Sequence, residues 1–356
     1  MKSTIAVIGG GNGGQAFAAY LSLKGYPVRL FDIAESTVER LNQLGGVTLQ
    51  GNSAATGFGK IQFATTDMEQ AVKGADIIMV VLPSIYHRSI AAQMAPYLRD
   101  GQCVVLNPNA SLGTFEFMRV LKERHATPDI LLIGTATLLF ACRAKEVGQV
   151  VVAGQKKSVS AAAHPASRNQ EAAELFSAII PEFTFNRDVV SVSLDNLRAL
   201  VHTAPCIMNT GRIESGIDFQ YYIDFTPTQG AVIDYLDTER MKIGAAYGLE
   251  LTKLKDEYIA MYGATGSNTY EVFKDCPGYH GIMGPKTLRT RYMYEDVPFS
   301  LVAYQSLAKV ADLQTPAIDA VITLSKIMLP DLEEGRTVEN LGFTGKSVQD
   351  ILAMCR

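Results

Sequence analysis

The hexapeptide GGGNGG at positions 9–14 constrains this chain more than any other stretch. It follows a β-branched, buried-type run from Thr4 to Ile8 and opens a helical stretch from Gly14 to Lys24. Gly9, Gly11 and Gly14 fall on a G-x-G-x-x-G frame, and the order strand, glycine turn, helix raises that frame from a common cluster to a dinucleotide-binding fingerprint. The glycines permit a tight turn and let backbone approach a pyrophosphate, whose charge then rests on the unpaired N–H groups that begin the helix. Ala16, Ala18 and Ala19 allow that helix to pack closely. The candidate phosphate-binding set is Gly9, Gly11, Asn12, Gly13 and Gly14.

A second strand, Val28 to Phe31, runs into Asp32, 18 residues beyond Gly14. A carboxylate there accepts the ribose hydroxyls of an adenosine and repels a 2′-phosphate, to which Ile33 and Ala34 offer no donor; NAD (NADH) is expected and NADP disfavoured. The competing reading makes Asp32 a solvated strand end or a helix cap, with Arg29 as the selector. Pro83 and Asn107, the latter in the turn Asn107, Pro108, Asn109, fall at the carboxyl ends of later strands, where a nicotinamide-side wall belongs. Both are also ordinary turn residues.

At about 150 residues per domain, 356 residues hold two units or a little more. Strand-like runs at Ala75 to Leu82, Gln102 to Leu106, Ile130 to Ile133, Gln149 to Ala153 and Ser158 to Ala162 alternate with helical stretches. This order predicts an α/β, Rossmann-type doubly wound parallel sheet domain over residues 1–187. Beyond Asp188 long 3.6-period segments take over, among them Leu194 to Ile213, Gln229 to Tyr247 and Phe299 to Ala311, predicting a mainly helical second domain over 188–356.

Lysine and arginine number 32 against 36 acids, for a net charge of −4 without a basic run, so small molecules rather than nucleic acid are the expected partners. Five widely spaced cysteines predict neither a disulfide framework nor a metal site. The longest apolar run, Ile77 to Pro83, is far short of the roughly 20 residues that cross a bilayer, and no signal-peptide core follows the N-terminus. No membrane association and a cytoplasmic location are expected.

A nicotinamide-linked reaction moves a proton as well as a hydride, and histidine titrates in the right range to handle it. Of five histidines, His202 stands out in LDNLRALVHTAPCIMN, because Pro205 cannot donate to the Val201 carbonyl and should interrupt the helix beside it, with Asn209 two turns on. A buried core histidine would look the same. The second polar cluster, LRTRYMYEDVP, holds Arg291, whose planar fork matches a carboxylate, and Asp296 just before the helix-starting Pro298. An anionic Asp296 could orient an imidazole. An exposed Arg291–Glu295 ion pair with Asp296 as a cap is the plainer alternative.

In order and spacing, GGGNGGQAFAAYLSLKG, VHTAPCIMN and RYMYEDVP resemble the opine dehydrogenase family, the octopine and nopaline type, especially bacterial members that make N-(1-carboxyethyl) amino acids; the likeness continues through GRIESG, FQYYI and EEGRTVENLG. The resemblance implies a Rossmann domain joined to a helical domain of the 6-phosphogluconate dehydrogenase C-terminal-like type, in a homodimer. It maps a catalytic histidine–aspartate pair onto His202 and Asp296, and a keto-acid-binding arginine onto Arg291. The implied reaction is NADH-dependent reductive condensation of an α-keto acid, pyruvate above all, with the amino group of an amino acid. Ser300 to Ala303 and Gly134 to Thr137 depart from the family pattern, which leaves the amino acid open. Two rivals are a keto-acid reductase or 2-hydroxy-acid dehydrogenase of similar build and a non-catalytic NAD-sensing protein. Several such reductases use a helical-domain lysine, and Leu194 to Ile213 contains none.

Overall fold

Strands that are apolar on both faces need cover on both sides, and the computed structural model, which describes residues 2–185 and 187–356, builds the N-terminal half that way. Twelve strands are present among the described residues: β1 (Ile5–Ile8), β2 (Val28–Phe31), β3 (Gly46–Gly51), β4 (Gly57–Lys60), β5 (Phe63–Thr65), β6 (Ile77–Val80), β7 (Cys103–Leu106), β8 (Leu131–Thr135), β9 (Phe140–Glu146), β10 (Gln149–Gln155), β11 (Val159–His164) and β12 (Phe183–Phe185). Eight form one sheet in the order β12-β11-β8-β7-β6-β1-β2-β5. All its pairings are parallel except β8 with β11. Every residue of β1, β6, β7 and β8 is buried. The two-residue period of a strand sorts their side chains, so that Ile5 and Val7 enter one core with Phe17 and Phe176, while Ala6 and Ile8 enter the other with Met94 and Phe117.

The other four strands make a smaller sheet, β4-β3-β10-β9. It packs on α1 (Asn12–Leu23), the helix after the glycine turn, where a Cβ on Gly59 of β4 would lie 2.6 Å from the Ala19 Cα. The small residues of α1 thus admit β4 as well as the main sheet.

The chain divides into compact units at 192/193, with residues 354–356 belonging to the first. The second unit is helical. Its longest helix, Pro227–Ala246, starts with Thr226 and Gln229 exchanging side-chain and backbone bonds and with proline in the first turn. Buried Arg240 is paired to Asp237 at 2.7 Å and donates to the carbonyls of Leu194 and Thr252. Buried Glu239 accepts from the amides of Ala317 and Ile318, an anion on the positive start of the helix Pro316–Met328. Among the described residues no helix is long and apolar enough to cross a membrane, and no three His, Cys, Asp or Glu side chains gather as a metal-binding group.

Candidate active site

In a sheet ordered this way the connection from β1 runs to β2 on one side and that from neighbouring β6 runs to β7 on the other, which opens a crevice at their carboxyl ends, and the glycine turn lies there. Gly9 has φ +111°, and a Cβ on it would lie 2.7 Å from the Val81 carbonyl oxygen. A Cβ on Gly14 would lie 1.7 Å from the Gly9 oxygen, so the turn closes only with glycine at both. Gly11 differs: nothing lies within 4 Å of its absent Cβ, and no side chain caps the helix it precedes. Open space beside uncapped amides fits a bound phosphate. Asn12, by contrast, turns into the protein, its Oδ1 accepting from the Ala144 amide at 2.9 Å. Buried Gln15, which sequence reasoning missed, ties the turn down by donating to the Gly10 carbonyl and accepting from the Gly148 amide, each at 2.7 Å.

Asp32 accepts from the Gly10 amide at 2.6 Å and the Ala34 amide at 2.8 Å. It therefore links the turn to the end of β2, and each oxygen keeps a lone pair for a ribose hydroxyl. Arg29 points to the carbonyls of Gln70 and Lys73 and the Gln62 side chain, so it is not placed as the ribose selector. Pro83 is exposed three residues beyond β6. Asn107, directly after β7, is fully buried; its Nδ2 donates to Thr135 Oγ1 at 2.9 Å while Oδ1 has no partner among the described residues. A buried acceptor left open calls for a donor, and the carboxamide of a nicotinamide carries one. The glycine cradle, Asp32 and Asn107 together fit a nicotinamide dinucleotide.

In the helical unit the helix Arg198–Met208 runs unbroken through Pro205, contrary to the interruption expected there. Asn209 does not join His202; its Nδ2 donates to the Pro205 carbonyl at 2.9 Å, beside its own amide, at the helix end. His202 is 5% exposed, and its Nδ1 lies 2.7 Å from Asp296 Oδ2. Tyr292 stacks on the imidazole with centroids 4.1 Å apart, and the Tyr221 hydroxyl donates to the His202 carbonyl. Nε2 is left without a protein partner among the described residues.

Asp296 precedes a π-helical turn, Val297–Leu301, and caps no amide of it, which leaves its carboxylate to the imidazole. Such turns insert an extra residue and re-aim side chains, often at functional sites. Fully buried Arg336 secures this one, its amide donating to the Pro298 carbonyl at 3.0 Å and its Nη1 to that of Phe299 at 3.3 Å. Burial pushes the His202 imidazole below its ordinary pKa and Asp296 pulls it back only in part, the charges of Arg198 and Arg291 adding to the lowering. Burial opposes ionisation of Asp296 as well, but His202, Arg198 and Arg291 outweigh it and hold the carboxyl below its ordinary value. The resting pair is a neutral imidazole beside an anionic carboxylate. Arg291 is exposed, and among the described residues no hydrogen bond or ion pair engages its guanidinium.

A Rossmann-type nucleotide unit followed by a helical unit with an oriented histidine is the build of a nicotinamide-linked oxidoreductase. Residues 186–329 match the model of the NAD/NADP octopine/nopaline dehydrogenase alpha-helical domain, and residues 4–153 match that of the NAD-dependent glycerol-3-phosphate dehydrogenase N-terminus. The opine dehydrogenase of Arthrobacter sp. (strain 1C) is 38% identical over 353 residues, covering 98% of both chains. Vitopine synthase of Allorhizobium ampelinum is 26% identical over 78% of each. The chain belongs to the opine dehydrogenase family and is an oxidoreductase acting on CH–NH donors. Its fold matches octopine dehydrogenase solved with NADH and L-arginine, with a TM-score of 0.84 at 20% identity over 99% of this chain and 98% of that one.

Proposed function

We propose that this enzyme joins an α-keto acid, pyruvate above all, to the α-amino group of an L-amino acid and reduces the product to an N-(1-carboxyalkyl) amino acid, reversibly. The buried His202–Asp296 pair beside the unengaged Arg291 carries this reading. The nicotinamide cofactor, when bound, supplies the hydride. Neutral His202 accepts at Nε2 the proton that the substrate ammonium must lose before its nitrogen can attack the keto carbon. The imidazolium that forms is stabilised by Asp296, which also fixes the tautomer. Nε2 then returns that proton to the carbonyl oxygen, the attacking nitrogen gives up a second one to it, and the oxygen departs as water to leave a protonated imine at the carbon that is reduced. Arg291 grips the keto-acid carboxylate and fixes that carbon in place.

Gly9, Gly11, Gly13 and Gly14 serve the pyrophosphate, with Asn12 holding the turn in place. Asp32 takes the adenosine ribose, favouring NAD over NADP, and Pro83 and Asn107 border the nicotinamide. A cytoplasmic homodimer is the proposed setting. Five unpaired cysteines suit a reducing compartment, and exposed Ile217, Tyr235, Met261 and Ile327 offer apolar surface to a second copy. Replacing His202 with alanine tests the mechanism: turnover should fall about 10²- to 10⁴-fold, and a loss of threefold or less would overturn the assignment.

A further inference from the structure

The reaction just proposed has a charge requirement that one arginine does not meet. Its product carries two carboxylates, one from each substrate, and Arg291 matches only one of them. A second cation lies on the histidine's own helix: Arg198 is four residues before His202, which puts both side chains on one face with Cβ atoms roughly 5–6 Å apart. Its charge reaches both His202 and Asp296, as that of Arg291 does.

The fork is held from behind and open in front. Arg198 Nε donates to Asn196 Oδ1 at 3.2 Å. Asn196 is itself 2% exposed and fixed by a 2.8 Å bond from its Nδ2 to Ser300 Oγ on the π-helical turn after Asp296. Among the described residues neither Nη1 nor Nη2 of Arg198 has a partner. A half-buried guanidinium oriented through one nitrogen, with two more free, is arranged to receive a carboxylate through two parallel bonds. Ser300 is also one of the positions where this chain departs from the family pattern.

We propose that Arg198 binds the α-carboxylate of the amino-acid substrate through its two free Nη groups, with Asn196 and Ser300 as the positioning residues behind it. This rests on the opine-forming reading and assigns the second substrate's anchor. Arg291 and Arg198 would then hold the two carboxylates while His202 serves the nitrogen and oxygen between them.

The test compares the best amino-acid substrate with the amine that lacks its carboxylate, each with pyruvate and NADH, in wild type and in Arg198→Gln and Arg198→Lys. In Arg198→Gln the KM for the amino acid should rise about 10- to 100-fold, while the KM for pyruvate and the NADH affinity stay within about twofold. Turnover with the carboxylate-free amine should fall far less than turnover with the amino acid, because only the charge that Arg198 lends to His202 and Asp296 is then lost, and Arg198→Lys should fall between, keeping the charge without the fork. Equal losses with amino acid and amine would show a merely structural role and overturn the proposal; so would a rise confined to the pyruvate KM. If Arg198→Gln does not fold, judged by its thermal melt, the lysine variant carries the same comparison. Wild-type enzyme with no amine-dependent NADH oxidation would sink the parent reading and this one together. Amine-dependent wild-type turnover with unaltered Arg198 variants would sink this one alone.

Discussion

Replacing Asp296 with asparagine removes one charge and alters little volume at the buried partner of His202. The bond lost is a 2.7 Å contact to a carboxylate in a site about 5% exposed. A hydrogen bond to a charged group is worth about 1.5–3 kcal/mol, or roughly 10- to 150-fold in rate. The Coulomb attraction between carboxylate and imidazolium at about 4 Å sets a ceiling near 4 kcal/mol, or about 10³-fold, at an effective dielectric of about 20. Turnover should therefore fall between about 10- and 1,000-fold. The pH profile should move as well. Asp296 is what raises the His202 pKa against burial and two arginines, so without it the imidazole becomes a weaker base. In kcat/KM against pH for the full reaction, the plateau should drop and the acidic limb, which marks protonation of the base, should shift to lower pH. Because the two side chains act as a unit, His202→Ala with Asp296→Asn should cost little more than His202→Ala alone. A plateau within threefold of wild type, a limb moving to higher pH, or fully additive losses would each refute the reasoning.

Gly14→Ala places a methyl group 1.7 Å from the Gly9 oxygen, so the turn must open and NADH affinity, read by fluorescence titration, should weaken about tenfold or more; affinity within twofold would refute the cradle. Asp32→Asn keeps an acceptor for one of the two backbone amides but drops the charge facing a 2′-phosphate, and the NADPH to NADH ratio of kcat/KM should rise about 10- to 100-fold. Burial lowers the His164 pKa from 6.5 to about 4, and its Nδ1 has no partner among the described residues. The folded state thus resists a proton that the unfolded chain accepts, so His164 favours folding above pH 6.5 and loses at most about 3 kcal/mol of that as pH falls to about 4. Urea melts of wild type and His164→Gln should accordingly converge in acid, and parallel curves would refute this.

Local patterning made much of the first unit legible. GGGNGG between an apolar run and a helix could be read because each part of a strand-turn-helix lies within about 20 residues. The small sheet could not be read so: β3 and β4 are rich in glycine, β4 is largely exposed, and β10 pairs in parallel with β3 from about 100 residues away. In the helical unit His202 and Asp296 were readable as candidates, but composition holds nothing that joins groups 94 residues apart; the family resemblance did. Pro205 is expected to break its helix, and the burial of the helix on both sides of it keeps it whole despite the bond lost at the Val201 carbonyl. Arg198 is not legible from the sequence, because a charged residue at a helix start reads as a solvated face; the tertiary bond from Asn196 to Ser300 sets it apart.

In the proposed mechanism a keto acid is reduced only as its adduct with an amine. Following NADH oxidation by the purified enzyme with pyruvate, first alone and then with each amino acid in turn, tests it directly. No significant oxidation is expected without amine, and saturable oxidation is expected with one or a few amino acids. Oxidation that proceeds equally well without amine, or NADH binding with no turnover on any pair, would contradict it.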